Sequence, residues 1–278
     1  MRAALLLAAA LALAVPAAAQ ELALTGEGPV EILADDAIEW RRDDQTVIAR
    51  GNARATRGAT TVFADRLLAR YRSREGAPPP GASPTGSGEI WRLEAEGNVR
   101  IVGGNDRAEA DRAVYDLDRR VLVLTGRALS LTNGADRVTA RDALEYWAEN
   151  RMAVARGEAV VTSEDRTLEA DTVVAYFVED GATAAPPPAA QGPRGANRLD
   201  RAEAFGNVRI TTANEVVRGE RGVYTTEDGL ARVTGNVRIT RGQNQLNGAY
   251  GEVNMKTGVS RLLPAPGGRV AGMIVPED

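Results

Sequence analysis

Apolar and charged residues alternate in short bursts along this chain. Val99-Arg100-Ile101, Val208-Arg209-Ile210 and Val237-Arg238-Ile239 each place two apolar side chains on one face and a guanidinium on the other. A period of two marks a strand with one buried and one wet face. Turn chemistry separates the bursts, at Gly103-Gly104-Asn105-Asp106, Asn133-Gly134, Asp228-Gly229 and Lys256-Thr257-Gly258. The best helical stretch runs from Ala143 to Val154, yet its register matches strand-turn-strand segments elsewhere, so it too is predicted to be extended. The pattern predicts an all-β protein.

The strands recur at a regular interval. Gly51, Gly97, Gly126, Gly157, Gly206 and Gly235 open related segments, spaced by 46, 29, 31, 49 and 29 residues, with Gly-Asn-Val-Arg-Ile at 97, 206 and 235. The two long spacings contain Pro- and Ala-rich insertions at 76–88 and 181–197; subtracting their 13 and 17 residues leaves 33 and 32. Proline cannot pair inside a sheet, so both insertions are expected to loop out. A second series keeps step: Ala64-Asp65, Ala110-Asp111, Ala170-Asp171 and Gly219-Glu220 each begin 13 residues after an opening Gly. Here the small residue suits a strand bend, and the acid is expected to face water or a backbone N–H. Self-similarity at this period signals stacked units, each unable to bury its apolar face alone. The reading is one repeat-built domain over 20–263, of about six units of roughly 30 residues, then a C-terminal tail at 264–278.

Residues 1–19 stand apart. Met1-Arg2 is positive, Ala3 to Val15 is apolar, and Pro16-Ala17-Ala18-Ala19 offers a small-residue cleavage site. This is the pattern of a cleaved secretory signal peptide, with an apolar run too short to span a bilayer comfortably. Among its 278 residues the chain has no Cys, so an exported fold must hold by packing and backbone hydrogen bonds. It has no His either, which removes Ser-His-Asp triads, His bases and His metal ligands. The acids cluster at turn positions, so no catalytic residue, metal or cofactor is expected. With a net charge of −4, 4% aromatic residues and no basic block, nucleic acid is excluded as a partner. Arg100, Arg209 and Arg238 read as a solvated face, with phosphate contact as the second reading because their forked donors suit it.

Gly-Asn-Val-x-Ile strands, an Ala-Asp element thirteen residues on and a following Tyr, all behind a signal peptide, resemble the LptA/OstA family of periplasmic lipopolysaccharide transport proteins. The resemblance covers about Val30 to Leu263. It implies a V-shaped, stacked β-jellyroll whose apolar interior receives the acyl chains of lipid A. It also implies a carrier or bridge that passes lipopolysaccharide from the inner-membrane complex to the outer-membrane translocon. The partners would be LptC-like inner-membrane and LptD-like outer-membrane jellyroll domains, or a head-to-tail homo-oligomer. The candidate ligand groove comes from the apolar face of the strands: Phe63, Val99, Ile101, Val161, Val208, Ile210, Val237 and Ile239. Plain core packing explains these residues equally well. Two other readings stay open, a β-solenoid polysaccharide-active enzyme and a structural envelope scaffold.

Overall fold

The computed structural model describes residues 30–73, 88–134, 136–163, 166–179, 197–254, 257, 259–273 and 275. The expected signal peptide, nearly all of both insertions and the end of the tail lie outside the described residues. All regular structure among the described residues is extended. The strands are β1 (Glu31–Leu33), β2 (Ala37–Arg41), β3 (Thr46–Arg57), β4 (Thr60–Ser73), β5 (Gly88–Gly103) and β6 (Asp106–Asp116). Next come β7 (Val121–Thr125), β8 (Leu129–Asn133), β9 (Asp136–Ala140), β10 (Ala143–Trp147), β11 (Met152–Ser163) and β12 (Arg166–Glu179). The last are β13 (Asn197–Thr211), β14 (Val216–Thr225), β15 (Leu230–Arg241), β16 (Asn244–Asn254), β17 (Val259–Leu263) and β18 (Ala271–Met273). The segment with helix-forming composition is strand β10, a turn and the start of β11, as its register predicts. Gly88 and Asn197, the last residues of the two insertions, are already paired, with Ser73 and Glu179.

The chain falls into two compact units where the sequence reading drew one domain. The amino-terminal unit holds residues 30–134 and 141–150; the carboxy-terminal unit holds 136–140 and 151–275. In the first, β3, β4, β5 and β6 form an antiparallel meander. Short strands split its ends: β1 and β2 each cover half of β3, while β7 and β8 each cover half of β6. Strand β10 then pairs with β7. In the second unit, β11 to β16 form the meander, β9 covers one end of β11, and β17 and β18 share β16.

The opening Gly of each repeat is the reason a strand has two halves. In β3, Arg50 pairs with Arg66 and Ala53 with Ala64, so Gly51 and Asn52 together oppose the single residue Asp65. That is a β-bulge, and both of its residues are left-handed, φ 79° and 42°. The same two-against-one break occurs at Gly97-Asn98, Gly157-Glu158, Gly206-Asn207 and Gly235-Asn236. Gly followed by Asn is the pair that tolerates this conformation at least cost. A bulge bends the strand, so the apolar residues before and after it form two layers.

Those layers run straight across the strands. In the amino-terminal unit, Ala55, Val62, Ile101, Ala108 and Leu131 stand opposite one another on successive strands on one side of the bulges. Ala49, Leu67, Ala95, Ala113, Leu124 and Leu144 do so on the other side. In the carboxy-terminal unit, Val138, Val161, Leu168, Ile210, Val217 and Ile239 make the equivalent row, which ends at the exposed Leu246. Burying an aliphatic side chain of this size contributes about 1.5–3 kcal/mol. With no disulfide in the chain, these rows and the strand ladders hold the fold.

Candidate functional site

An apolar cavity of about 170 Å³ opens inside the amino-terminal unit. Both layers of that unit line it: Ile32, Ala55, Val62 and Ile101 from one side of the bulges, Ala49, Leu67, Ala95, Ala113 and Leu122 from the other. Arg57 and Glu94 are the charged residues of its wall. The many alanines explain the space.

The predicted groove residues separate into groups. Ile101 lines the cavity and is 2% exposed. Val99 lies one inward position nearer the bulge and is equally buried. Val161, Val208, Ile210, Val237 and Ile239 belong to the carboxy-terminal unit and are packed core, with Val161, Val208, Ile210 and Val237 almost wholly enclosed. Phe63 follows the cavity residue Val62 along β4 and so takes the other face, where the Arg100 guanidinium lies 4.4 Å over its ring. Sequence reasoning missed Leu67, Ala95 and Ala113, which lie before the bulge or outside the Gly-Asn-Val-Arg-Ile motif. Their signal was the small-residue alternation on β5 and β6.

Glu94 is buried at this wall, and its carboxylate is held by arginines. It accepts from Arg70 Nε at 3.1 Å, Arg92 Nε at 3.0 Å and Arg112 Nη2 at 2.5 Å. Burial pushes its carboxyl up, but hydrogen bonds from Arg70 and Arg112 with the charge of Arg92 outweigh this and hold it below the ordinary value. Glu203 occupies the corresponding place three residues before Gly206, bonded by Arg201 and Arg221. The arrangement is a charge cap over the bend. Glu96, two residues on, shares Arg112 with Glu94 and also pairs with Arg66, and no cluster of metal-binding side chains occurs among the described residues.

The two sequence series prove to be one device. The amide of each bulge Asn donates to an acid earlier in the chain: Asn52 to Asp35, in the turn before β2, at 2.8 Å, Asn207 to Asp171 at 3.0 Å, Asn236 to Glu220 at 2.8 Å. Asp111 accepts instead from the backbone N–H of Arg127, at 2.9 Å. Asp111 thus has the backbone partner expected of these acids, and Asp65, Asp171 and Glu220 also reach solvent as expected.

Exposed large apolar residues gather at the first and last strands: Leu33 and Ile38 near the start, Leu246, Tyr250, Val259, Leu263 and Met273 near the end. Each unit therefore keeps an open strand edge with apolar side chains beside it. No helix among the described residues is long and apolar enough to cross a membrane.

An antiparallel β-repeat protein with a bulge in every second long strand and an apolar cavity between its layers is the class these features define. The chain belongs to the family described as LptA/(LptD N-terminal domain) LPS transport protein, whose model matches twice, over residues 31–143 and 138–259. The two matches meet where β9 and β10 part into different units. An uncharacterized protein of Rhizobium meliloti (strain 1021) is 27% identical over 132 residues, 48% of this chain and 68% of its own length. Among solved structures, the chain is similar to LptH, the LptA-homologous periplasmic component of the lipopolysaccharide transport device of Pseudomonas aeruginosa. That match is 17% identical, with a TM-score of 0.40, and covers 51% of this chain and 95% of the other.

Proposed function

We propose that the chain is a periplasmic carrier that takes acyl chains of lipopolysaccharide into the apolar interior of its amino-terminal unit and passes the lipid on without catalysis. The observation that carries this reading is the cavity lined by Val62, Leu67, Ala95, Ile101 and Ala113. A cavity near this size takes a ligand of about benzene's dimensions. It is the closed form of the site, and loading a lipid requires the two layers to separate. Strands lined by alanine lose few contacts when they part.

The open edges supply the hand-over. An unpaired strand flanked by apolar side chains adds another strand readily. The fit is to LptC-like and LptD-like β domains or to a second copy of the chain, one at each end. Vectorial transfer along such edges needs no nucleotide or cofactor.

The test is saturable binding of lipopolysaccharide to the mature chain, compared with its glycan freed of lipid A. Binding that depends on the acyl chains is expected, and Ala113→Phe, which fills the cavity, should weaken it at least about tenfold. Undiminished binding by a folded Ala113→Phe variant would remove the cavity from the mechanism. Binding of the glycan alone would favour a polysaccharide-active protein, and binding of neither a scaffold.

A further inference from the structure

Arg209, Arg218 and Arg238 stand side by side on the polar face of the carboxy-terminal unit. Arg209 on β13 is directly opposite Arg218 on β14, which is directly opposite Arg238 on β15. Their strand neighbours Val208, Ile210, Val217, Val237 and Ile239 are buried, so alternation turns all three guanidinium groups outward. Adjacent strands lie about 4.8 Å apart, which confines the three to a span of roughly 10 Å.

Like charges directly opposite on neighbouring strands destabilise a sheet. Arg218, at the centre of the rung, has a cation opposite it on both sides. Glu169 flanks Arg209 on one side, and Asn247 flanks Arg238 on the other. The ion pairs nearby go elsewhere, Arg201 and Arg221 to Glu203 and Arg232 to Glu252. Asp171 and Glu220, the next acids along the face, already accept from Asn207 and Asn236. Arg209 Nε is buried with no hydrogen-bond partner among the described residues.

The amino-terminal unit handles the same rung differently. There Arg54, Phe63, Arg100 and Glu109 stand opposite one another in turn. An aromatic ring and a carboxylate separate or balance the two cations. One architecture thus disperses its arginines in one unit and accumulates them in the other.

We propose that this rung is an anion site that takes a phosphate-bearing ligand on the outer face of the carboxy-terminal unit. Each arginine presents paired N–H donors in a plane, and a phosphate has enough oxygens to bridge two adjacent guanidinium groups. Its negative charge cancels the repulsion within the rung. The site stands apart from the apolar cavity and does not depend on that cavity's role. The phosphate comes either from a lipid headgroup or from a soluble phosphate ester or polyphosphate.

The test uses the mature chain with two probes, a short inorganic polyphosphate and phosphatidylcholine vesicles with or without phosphatidic acid. Binding of at least one phosphate probe is expected, with a rise in melting temperature. Arg218→Gln, at the centre, should weaken binding at least about tenfold and Arg238→Gln less, while Arg100→Gln leaves it unchanged. Without any anion, Arg218→Gln should melt at or above the wild-type temperature, because the central like charge is gone. Binding of the acidic vesicles alone assigns the site to a lipid headgroup, and of polyphosphate alone to a soluble ligand. No binding of either probe by the wild type overturns the proposal. So does equal binding by folded Arg218→Gln and Arg238→Gln variants.

Discussion

The side-chain amide of Asn98 donates to both carboxylate oxygens of Asp65, at 3.1 and 2.9 Å. A Cβ on the neighbouring Gly97 would lie 2.2 Å from Asp65 Oδ2. The acid therefore fills the space that glycine leaves empty and is held there by the asparagine beside it. Repeated at Asn52, Asn207 and Asn236, this contact ties the bend of one strand to an acid earlier in the chain.

Replacing Gly97 by alanine combines a strained φ of +75° with a clash against Asp65. A loss of roughly 2–4 kcal/mol is expected by denaturant unfolding. Gly58 is also left-handed but has open space around it, so Gly58→Ala should cost only about 1 kcal/mol. Equal losses at the two sites would show that the carboxylate contact is incidental.

Asn98→Ala and Asp65→Ala should be non-additive. A double-mutant cycle is expected to give a coupling of about 1 kcal/mol, modest because both side chains are exposed. Additive effects would mean that the amide and the acid act independently.

Glu94→Gln should destabilise the amino-terminal unit by about 2 kcal/mol at neutral pH, since three arginines lose their shared acceptor charge. The native carboxyl is held below its ordinary value, so its contribution is present above the unfolded-state pKa. That contribution is lost as pH falls through the folded value. The stability difference between wild type and variant should therefore shrink on acidification. A constant difference across pH would rule out the charge as its source.

Glu215 behaves in the opposite sense. It is buried in the turn after β13, its Oε1 has no partner, and burial pushes its pKa up despite Arg241. A raised carboxyl pKa favours folding at low pH, and that advantage disappears as pH rises through the folded value. Glu215→Gln should thus be stabilising at neutral pH, with the gain fading as pH drops below the unfolded-state pKa. A destabilised variant at neutral pH would show that the ionised carboxylate is used in the fold.

Much of this was legible along the chain. Period-two alternation in Val99-Arg100-Ile101 and its copies specified strands and which face each side chain takes. Spacing of the opening glycines located the bends, because few residues other than Gly and Asn adopt the left-handed conformation there. Residue types also excluded triads and thiolate chemistry before any contact was known.

Contacts between strands were not legible, because register depends on which residues end up opposite. Asp65 and Asn98 belong to separate series in the sequence; the bulge, which sets two residues against one, brings them together. Likewise Arg209, Arg218 and Arg238 become one rung only in register, and Arg218 lies outside the repeated motif altogether. The sequence by itself determined the strands, their faces and their bends, all of which follow from local backbone and side-chain preference. Tertiary structure decided that Val62, Leu67, Ala95, Ile101 and Ala113, from three strands, meet around one cavity. Packing volume is a sum over facing strands, and no single strand carries it.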